Sequence, residues 1–227
     1  MKLAWIASPG FRSALLTVVM AVAFAGPSLA AVTLPVFGSH LVLQRDMPVP
    51  VWGKAEPGER VTVTFRDQRK TATADAHGQW VIRLDALQVG EPATLTVSGS
   101  NTIALTDVLV GEVWLGSGQS NMDSPVNMYV ANDPELKAAA GNAYPTLRLF
   151  RSVREGEGWQ AAAPGKFGGF SAQLFYFGMK LQQELGVPVG LLDAGVAGSP
   201  SGSFLSQAAF NADPGTRSCG TRTRSWS

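Results

Sequence analysis

Hydrophobic and polar residues alternate along short segments of the first half of the chain, and turn-forming residues separate these segments. Arg60–Arg66 and Thr94–Ser98 alternate cleanly, as expected for strands with one buried face. Glu56–Glu59 and His77–Gln79 hold the Gly, Pro and polar residues typical of turns. Short strands at regular spacing, with turns between them, predict a small amino-terminal β-sandwich over residues 31–106.

Longer apolar segments replace this alternation in the second half. Val108–Leu115 is mostly apolar and predicts a buried strand, after which an irregular stretch is expected to about Thr146. Leu147–Phe150 and Val189–Leu192 predict two further strands, with a helix between them. Strand, helix and strand in that order predict a parallel, doubly wound α/β domain over residues 107–212.

The helix has clear end signals. Ser171 is the expected N-cap, and Gly186 is expected to end the helix. Apolar residues recur between them at helical spacing and are expected to face the core: Leu174, Phe177, Leu181 and Leu185. The helix is therefore expected to carry no chemistry of its own.

Ser120 directly follows the predicted buried strand and lies in the segment Gly116–Met122. Small residues before it predict a tight turn, which would place Ser120 near the carboxyl end of a strand, where ligands bind in open α/β sheets. A serine nucleophile needs a general base and N–H donors for the oxyanion. The structural alternative is a turn serine that caps the next helix.

Two better-known motifs do not fit this segment. The nucleophile elbow of α/β-hydrolases needs Gly two residues after the serine, and Met122 stands there. A dinucleotide fingerprint needs Gly at the place of Asn121.

The segment Gly111–Met122 closely resembles the first signature block of the sialate O-acetylesterase family, which belongs to the SGNH-hydrolase superfamily of carbohydrate esterases. Further segments resemble family blocks in the same order: Leu41–Gly53, Ala55–Glu59, Phe170–Gly178 and Gly186–Leu192. The resemblance runs from about Val32 to Phe210 and corresponds to the amino-terminal part of the family. It implies that the α/β domain is an incomplete SGNH-type domain.

The resemblance also implies a mechanism and a substrate class. Ser120 would attack an acetyl ester on a sugar, and the N–H groups of Ser120 and Gly198 would hold the oxyanion. The substrate would be an O-acetylated sialic acid or another acetylated sugar, and no cofactor is implied. Where the family has Trp-Gly-Gly before Thr-Pro, this chain reads Val196–Pro200, so Gly198 can also be a plain turn residue. Asp193 is interpreted as a polar cap at a strand end.

The resemblance implies the base of the superfamily, a His near the carboxyl terminus with an Asp a few residues before it, and a further block that supplies an Asn side chain to the oxyanion hole. The sequence has two histidines, His40 and His77, and both precede Ser120. They are expected to be structural or exposed. Residues 213–227 contain no aliphatic residue, which suggests a frameshift or premature end, although a natural basic tail is possible. The chain as written is thus expected to be weak or inactive, and the alternative function is non-catalytic carbohydrate binding.

Composition narrows the remaining possibilities. Hydrophobic residues make up 45% of the 227-residue chain and charged residues 15%, which suits a globular protein. A net charge of +1 gives no indication of a nucleic-acid or anionic-membrane partner. Cys219 is the single cysteine, so no internal disulfide is expected, and no Cys/His cluster has metal-ligand spacing.

Residues 1–30 resemble a secretory signal peptide. Basic residues precede the apolar run 14–25, and Ser28-Leu29-Ala30 supplies small residues for cleavage before Ala31. The apolar run is too short to span a membrane comfortably, so no stable membrane anchor is expected. The sequence therefore predicts export to the periplasm or the extracellular space.

Overall fold

The computed structural model describes residues 31–152 and 158–212. The predicted signal peptide, Cys219 and the segment 213–227 lie outside the described residues. No helix in the described part is long and apolar enough to cross a membrane.

Seven strands lie between residues 31 and 119, and most of them alternate between buried and exposed residues as the sequence predicts. They are β1 (Val42–Gln44), β2 (Val49–Lys54), β3 (Arg60–Phe65), β4 (Gln68–Thr73), β5 (Gln79–Leu84), β6 (Ala93–Ser98) and β7 (Thr102–Gly118). The strands β2 and β5 form a two-stranded antiparallel sheet. The strands β3, β4, β6 and the first part of β7 are antiparallel members of a larger, eight-stranded sheet. Inward-facing side chains such as Val63 and Ile82 form one common core between these strands.

From Ser120 onward, the described residues add three strands and five α-helices to this frame. The strands are β8 (Tyr144–Arg151), β9 (Gln160–Ala162) and β10 (Val189–Gly195). The helices are α1 (Ser120–Asp123), α2 (Val126–Tyr129), α3 (Pro134–Ala140), α4 (Ala172–Leu185) and α5 (Gln207–Ala212). The large sheet has the order β4-β3-β6-β7-β10-β8-β9, with β1 also paired to β7.

The 17-residue strand β7 continues from the antiparallel part of this sheet into the parallel part. It pairs antiparallel with β6 up to Val108 and parallel with β1 and β10 from Leu109 onward, and Asp107, just before this change, has φ of 55°. Because β8 also pairs parallel with β10, the second half is the predicted α/β layer. The predicted fold class, strands of an amino-terminal sandwich followed by a parallel α/β sheet, is confirmed.

The ends of α4 agree with the sequence signals. The Ser171 side chain accepts a hydrogen bond from the Leu174 N–H, which satisfies one of the free donors of the first turn. Gly186 ends the helix in the left-handed conformation, with φ of 64°.

The predicted buried face of α4 is partly wrong. Phe177 and Leu185 are 39% and 42% exposed, whereas Phe175, Gly178 and Met179 are buried. Gly178 explains the difference, because a Cβ there would lie 2.4 Å from a methyl carbon of Leu191 on β10. The helix approaches the sheet along the Gly178 side, and the ring of Phe177 packs edge-on against Trp114 of β7.

The predicted irregular stretch up to Thr146 is also wrong in part, because α1, α2 and α3 lie within it. Asp133 begins α3 by accepting a hydrogen bond from the Leu136 N–H, and Pro134 occupies the first helical position. Asp followed by Pro is an N-terminal helix signal that could have predicted this helix.

Candidate active site

Ser120 lies at the carboxyl end of β7, as predicted, and is the first residue of α1. Its side chain is exposed, and its Oγ lies 3.3 Å from Oε1 of Gln119. The predicted tight turn at residues 116–118 is wrong, because these residues continue the strand and the chain leaves it at Gln119.

The two glycines before Ser120 allow close packing instead of a turn. A Cβ on Gly116 would lie 2.7 Å from the Leu174 side chain and 3.0 Å from Sδ of Met122. Gly118 has φ of 148°, a conformation that side chains disfavour. Together they let α1 lie against the first turn of α4.

Gly198 lies in a turn that follows β10. Ser199 N–H donates to the Val196 carbonyl at 3.2 Å, and Gly198 has φ of 78°, as a type II turn requires at its third position. Val196 N–H donates to the Gly118 carbonyl at 2.9 Å, so this turn lies beside the strand exit that leads to Ser120.

The N–H groups of Ser120 and Gly198 are candidate oxyanion donors. Ser120 is the first residue of its helix and so has no intrahelical acceptor for its N–H. Within residues 31–152 and 158–212, no backbone hydrogen bond engages the N–H of either residue. Free donors at one edge of a sheet can bind a developing negative charge.

A charged network links α1, which begins at Ser120, to the turn that contains Gly198. Asp123, the last residue of α1, accepts a hydrogen bond from Nη2 of Arg151 at 3.2 Å through Oδ1. Its other oxygen accepts the N–H of Ala197 at 3.3 Å. Arg151 Nε lies 3.5 Å from Oδ2 of Asp193, so one guanidinium lies between two carboxylates.

Asp193 is fully buried near the end of β10, where its side chain bonds the strand-end backbone, as the sequence predicts for a polar cap. Its Oδ1 accepts the N–H of Gly195 at 3.1 Å. Burial raises the pKa of this carboxyl above its usual range, against the opposing effect of the Gly195 hydrogen bond and of Arg151. Oδ2 of Asp193 has no hydrogen-bond partner among the described residues, and Nε of Arg151 lies 3.5 Å from it.

Neither histidine lies near Ser120. His40 Nδ1 lies 2.7 Å from Asp107, which also accepts a hydrogen bond from Arg148 at 2.6 Å. Asp107 precedes Gly118 by eleven residues along β7, whereas Ser120 follows the end of that strand. The structure thus places His40 beside Asp107 and away from Ser120.

His77 lies in the turn between β4 and β5. Thr73, the last residue of β4, pairs with Arg60 of β3. Because β3 pairs with β6 and β6 with β7, this end of the sheet is the one at which β7 begins with Thr102. This turn is therefore at the end of the sheet far from Ser120.

A groove of about 590 Å³ opens between α4 and the α2–α3 segment. It begins close to α1, because the Ala172 N–H at the start of α4 donates to the Ser124 carbonyl at 2.9 Å. The sequence interpretation did not identify this groove, whose lining combines aromatic rings with amide and carboxylate groups: Tyr129, Asn132, Asp133, Leu136, Ala172, Gln173, Tyr176 and Phe177.

Comparison with known proteins adds independent information. No protein-family model matches the chain. The chain is 30% identical to the sialate O-acetylesterase of Mus musculus over 190 residues, which cover 71% of this chain and 35% of that protein. It is 31% identical to the Homo sapiens enzyme of the same name over 191 residues, which cover 71% of this chain and 36% of that protein. The chain thus spans about a third of the length of these curated relatives.

A solved structure of a carbohydrate acetylesterase from Xanthomonas citri has the same fold. It is 34% identical and superposes with a TM-score of 0.72, over 85% of this chain and 46% of that chain. The sequence matches and this structural match agree with the resemblance of the signature segments, and the partial coverage agrees with a match to the amino-terminal part. The chain belongs to the sialate O-acetylesterase family.

Proposed function

We propose that this chain carries the nucleophile of an exported carbohydrate O-acetylesterase. The observation that carries the proposal is the placement of Ser120 at the carboxyl end of β7, with the Gly198 turn hydrogen-bonded to the same strand exit. The names of the relatives, sialate O-acetylesterase and carbohydrate acetylesterase, support an acetylated sugar as the substrate.

The proposed reaction has two steps. Ser120 Oγ adds to the acetyl carbonyl carbon while its proton passes to a base, and the N–H groups of Ser120 and Gly198 hold the oxyanion. The bond from the carbonyl carbon to the sugar oxygen then breaks, that oxygen takes the proton, and acetyl-Ser120 remains. Water adds to this ester in the same way and releases acetate and free Ser120.

The described residues place no histidine base at the site. Of the two histidines in the sequence, His40 lies beside Asp107 and His77 lies in the turn between β4 and β5. We therefore propose that the polypeptide alone hydrolyses acetyl esters slowly or not at all, and that an external base such as imidazole raises the rate.

The test compares the purified chain with Ser120→Ala and with Ser117→Ala, a matched serine on the exposed part of β7. Aryl-acetate hydrolysis is measured with and without imidazole. We expect the unchanged chain to hydrolyse the ester faster than Ser120→Ala and at the same rate as Ser117→Ala. Equal rates for the chain and Ser120→Ala under both conditions would contradict the proposal.

The groove supports a second candidate function, carbohydrate binding without catalysis. Aromatic faces such as Tyr129 pack on the apolar face of a pyranose ring, and amides such as Gln173 bind its hydroxyls. Calorimetric titration of Ser120→Ala with an acetylated sugar distinguishes the two. Binding that persists in Ser120→Ala, in a chain without Ser120-dependent turnover, favours the binding protein.

Export is proposed from residues 1–30 alone. We expect these residues to export a fused reporter enzyme that is active only outside the cytoplasm, and we expect a Leu15→Arg change in the apolar run to abolish that activity.

A further inference from the structure

The short helix that carries Ser120 needs support from outside itself. The helix α1 has four residues, and a single turn in isolation is unstable because its first hydrogen bond does not offset the loss of backbone entropy. Its N-cap residue Gln119 makes no side-chain capping bond. Contacts to other elements therefore determine where the N–H of Ser120 points.

Asp123 provides such a contact on both sides. One carboxylate oxygen accepts a hydrogen bond from Arg151 on β8, and the other accepts the N–H of Ala197, the residue before Gly198. A single carboxylate thus joins the helix that begins at Ser120 to the turn that holds Gly198. Both bonds are accepted by a charged carboxylate, and hydrogen bonds with an ionised partner are stronger than neutral ones.

Arg151 in turn fixes the position of Asp123. Its side chain is 10% exposed, and it lies between Asp123 and the fully buried Asp193. The planar guanidinium directs its donors in fixed directions, so its position on β8 determines where the Asp123 carboxylate is held. Asp193 also accepts the N–H of Gly195, which ties the base of the turn to the same network.

We propose that Asp123, held by Arg151 and Asp193, is a positioning residue that sets the spacing between the N–H groups of Ser120 and Gly198. This inference rests on the proposed function of Ser120. An incorrect spacing would weaken the hold on the oxyanion, which exists only after attack, and would leave the ground-state contacts of the sugar unchanged. Loss of the Asp123 contacts should therefore lower kcat and leave KM nearly unchanged.

The first measurement uses kinetics on aryl acetate in the presence of imidazole, with the Ser120→Ala rate subtracted. Asp123→Asn retains the shape and one acceptor but loses the charge, and Asp123→Ala loses both acceptors. We expect kcat to fall about 10-fold in Asp123→Asn and about 100-fold in Asp123→Ala, with KM changed by less than about twofold. Glu135→Gln on α3 removes an exposed ion pair with Lys180 on α4 and should leave kcat unchanged.

The second measurement does not depend on turnover. Amide hydrogen exchange in the segment 195–199 should become faster in Asp123→Ala, because the Ala197 N–H loses its acceptor, and should be unchanged in Ser120→Ala and Glu135→Gln. If Asp123→Ala does not fold, Asp123→Asn is used for both measurements.

The two measurements separate the two proposals. Absence of Ser120-dependent hydrolysis together with faster exchange in Asp123→Ala contradicts the proposed function but supports the link between helix and turn. Unchanged exchange in the segment 195–199, or a change in KM with no change in kcat, would overturn the positioning role of Asp123.

Discussion

At the scale of single residues, the contact between Gly195 and α1 leaves no space for an added Cβ. A Cβ on Gly195 would lie 2.9 Å from the backbone nitrogen of Asp123 and 3.1 Å from the carbonyl carbon of Met122. Backbone atoms cannot rotate away as a flexible side chain can, so Gly195→Ala must displace α1 or β10. We expect a loss of about 1–3 kcal/mol in the free energy of unfolding, measured by urea denaturation, and a reduced Ser120-dependent rate.

Gly141→Ala is the matched control for this change. A Cβ there would have its nearest neighbour at 3.5 Å, an ordinary contact, and the residue has a φ of −80° that alanine readily adopts. A Gly195→Ala variant as stable and as active as Gly141→Ala would show that α1 is not held closely against β10.

At the scale of elements, α4 is the helix whose limits follow most directly from the sequence. Ser171 is fully buried and caps the helix, so Ser171→Ala should destabilise the protein by about 1 kcal/mol. For a domain of this size the expected fall in Tm is about 3 °C, measured by thermal unfolding. Gln173→Ala changes an exposed residue in the same turn and should leave Tm unchanged, whereas equal Tm values for all three proteins would contradict the capping role.

The elements that could be predicted are those specified by local pattern. Ser171 and Gly186 mark helix ends through the hydrogen bonds of single turns, and the strand before Ser120 follows from its apolar run. The buried face of α4 depends on the close approach of Gly178 to Leu191, a contact between distant parts of the chain. Local spacing alone could not predict it.

The same limit applies to the candidate site. Ser120 was identified from its own segment, but Asp123 and Arg151 gain their importance from lying together at one sheet edge. Their order in the sequence gives one usable signal, because Arg151 ends β8 and Asp193 lies near the end of β10, two adjacent parallel strands. Polar residues that end neighbouring parallel strands are candidates for a shared site.

At the scale of the whole molecule, a second charged cluster joins the antiparallel and parallel parts of the structure. Asp107 lies where β7 changes its partners, and it binds both His40, which precedes β1, and Arg148 on β8. The Arg148 side chain is 6% exposed, so its charge depends on Asp107 for compensation. This cluster links strand β8 to the part of β7 at which the antiparallel strands meet the parallel ones.

The pH dependence of stability should report on this cluster. The hydrogen bond from Arg148 holds the pKa of Asp107 below its usual range, with a smaller contribution from His40. Because the folded-state pKa is the lower one, the stabilisation is complete above the unfolded value of about 4 and is lost as pH falls through the folded value. Asp107→Ala leaves a buried guanidinium without its partner and should cost about 2–3 kcal/mol at pH 7, toward the low end because Asp107 is partly exposed.

Urea denaturation of the chain and of Asp107→Ala from pH 7 to pH 3 checks this expectation. The difference in unfolding free energy between the two should be nearly constant at neutral pH and should shrink in the acid range, since protonated Asp107 no longer carries the charge that Arg148 requires. Asp85→Asn removes a carboxylate whose side chain is 77% exposed and that pairs with Lys70, so it should cost little at any pH. A difference for Asp107→Ala that stays constant down to pH 3, or that is as small as that of Asp85→Asn, would show that the link between the two parts of the fold does not depend on this ion pair.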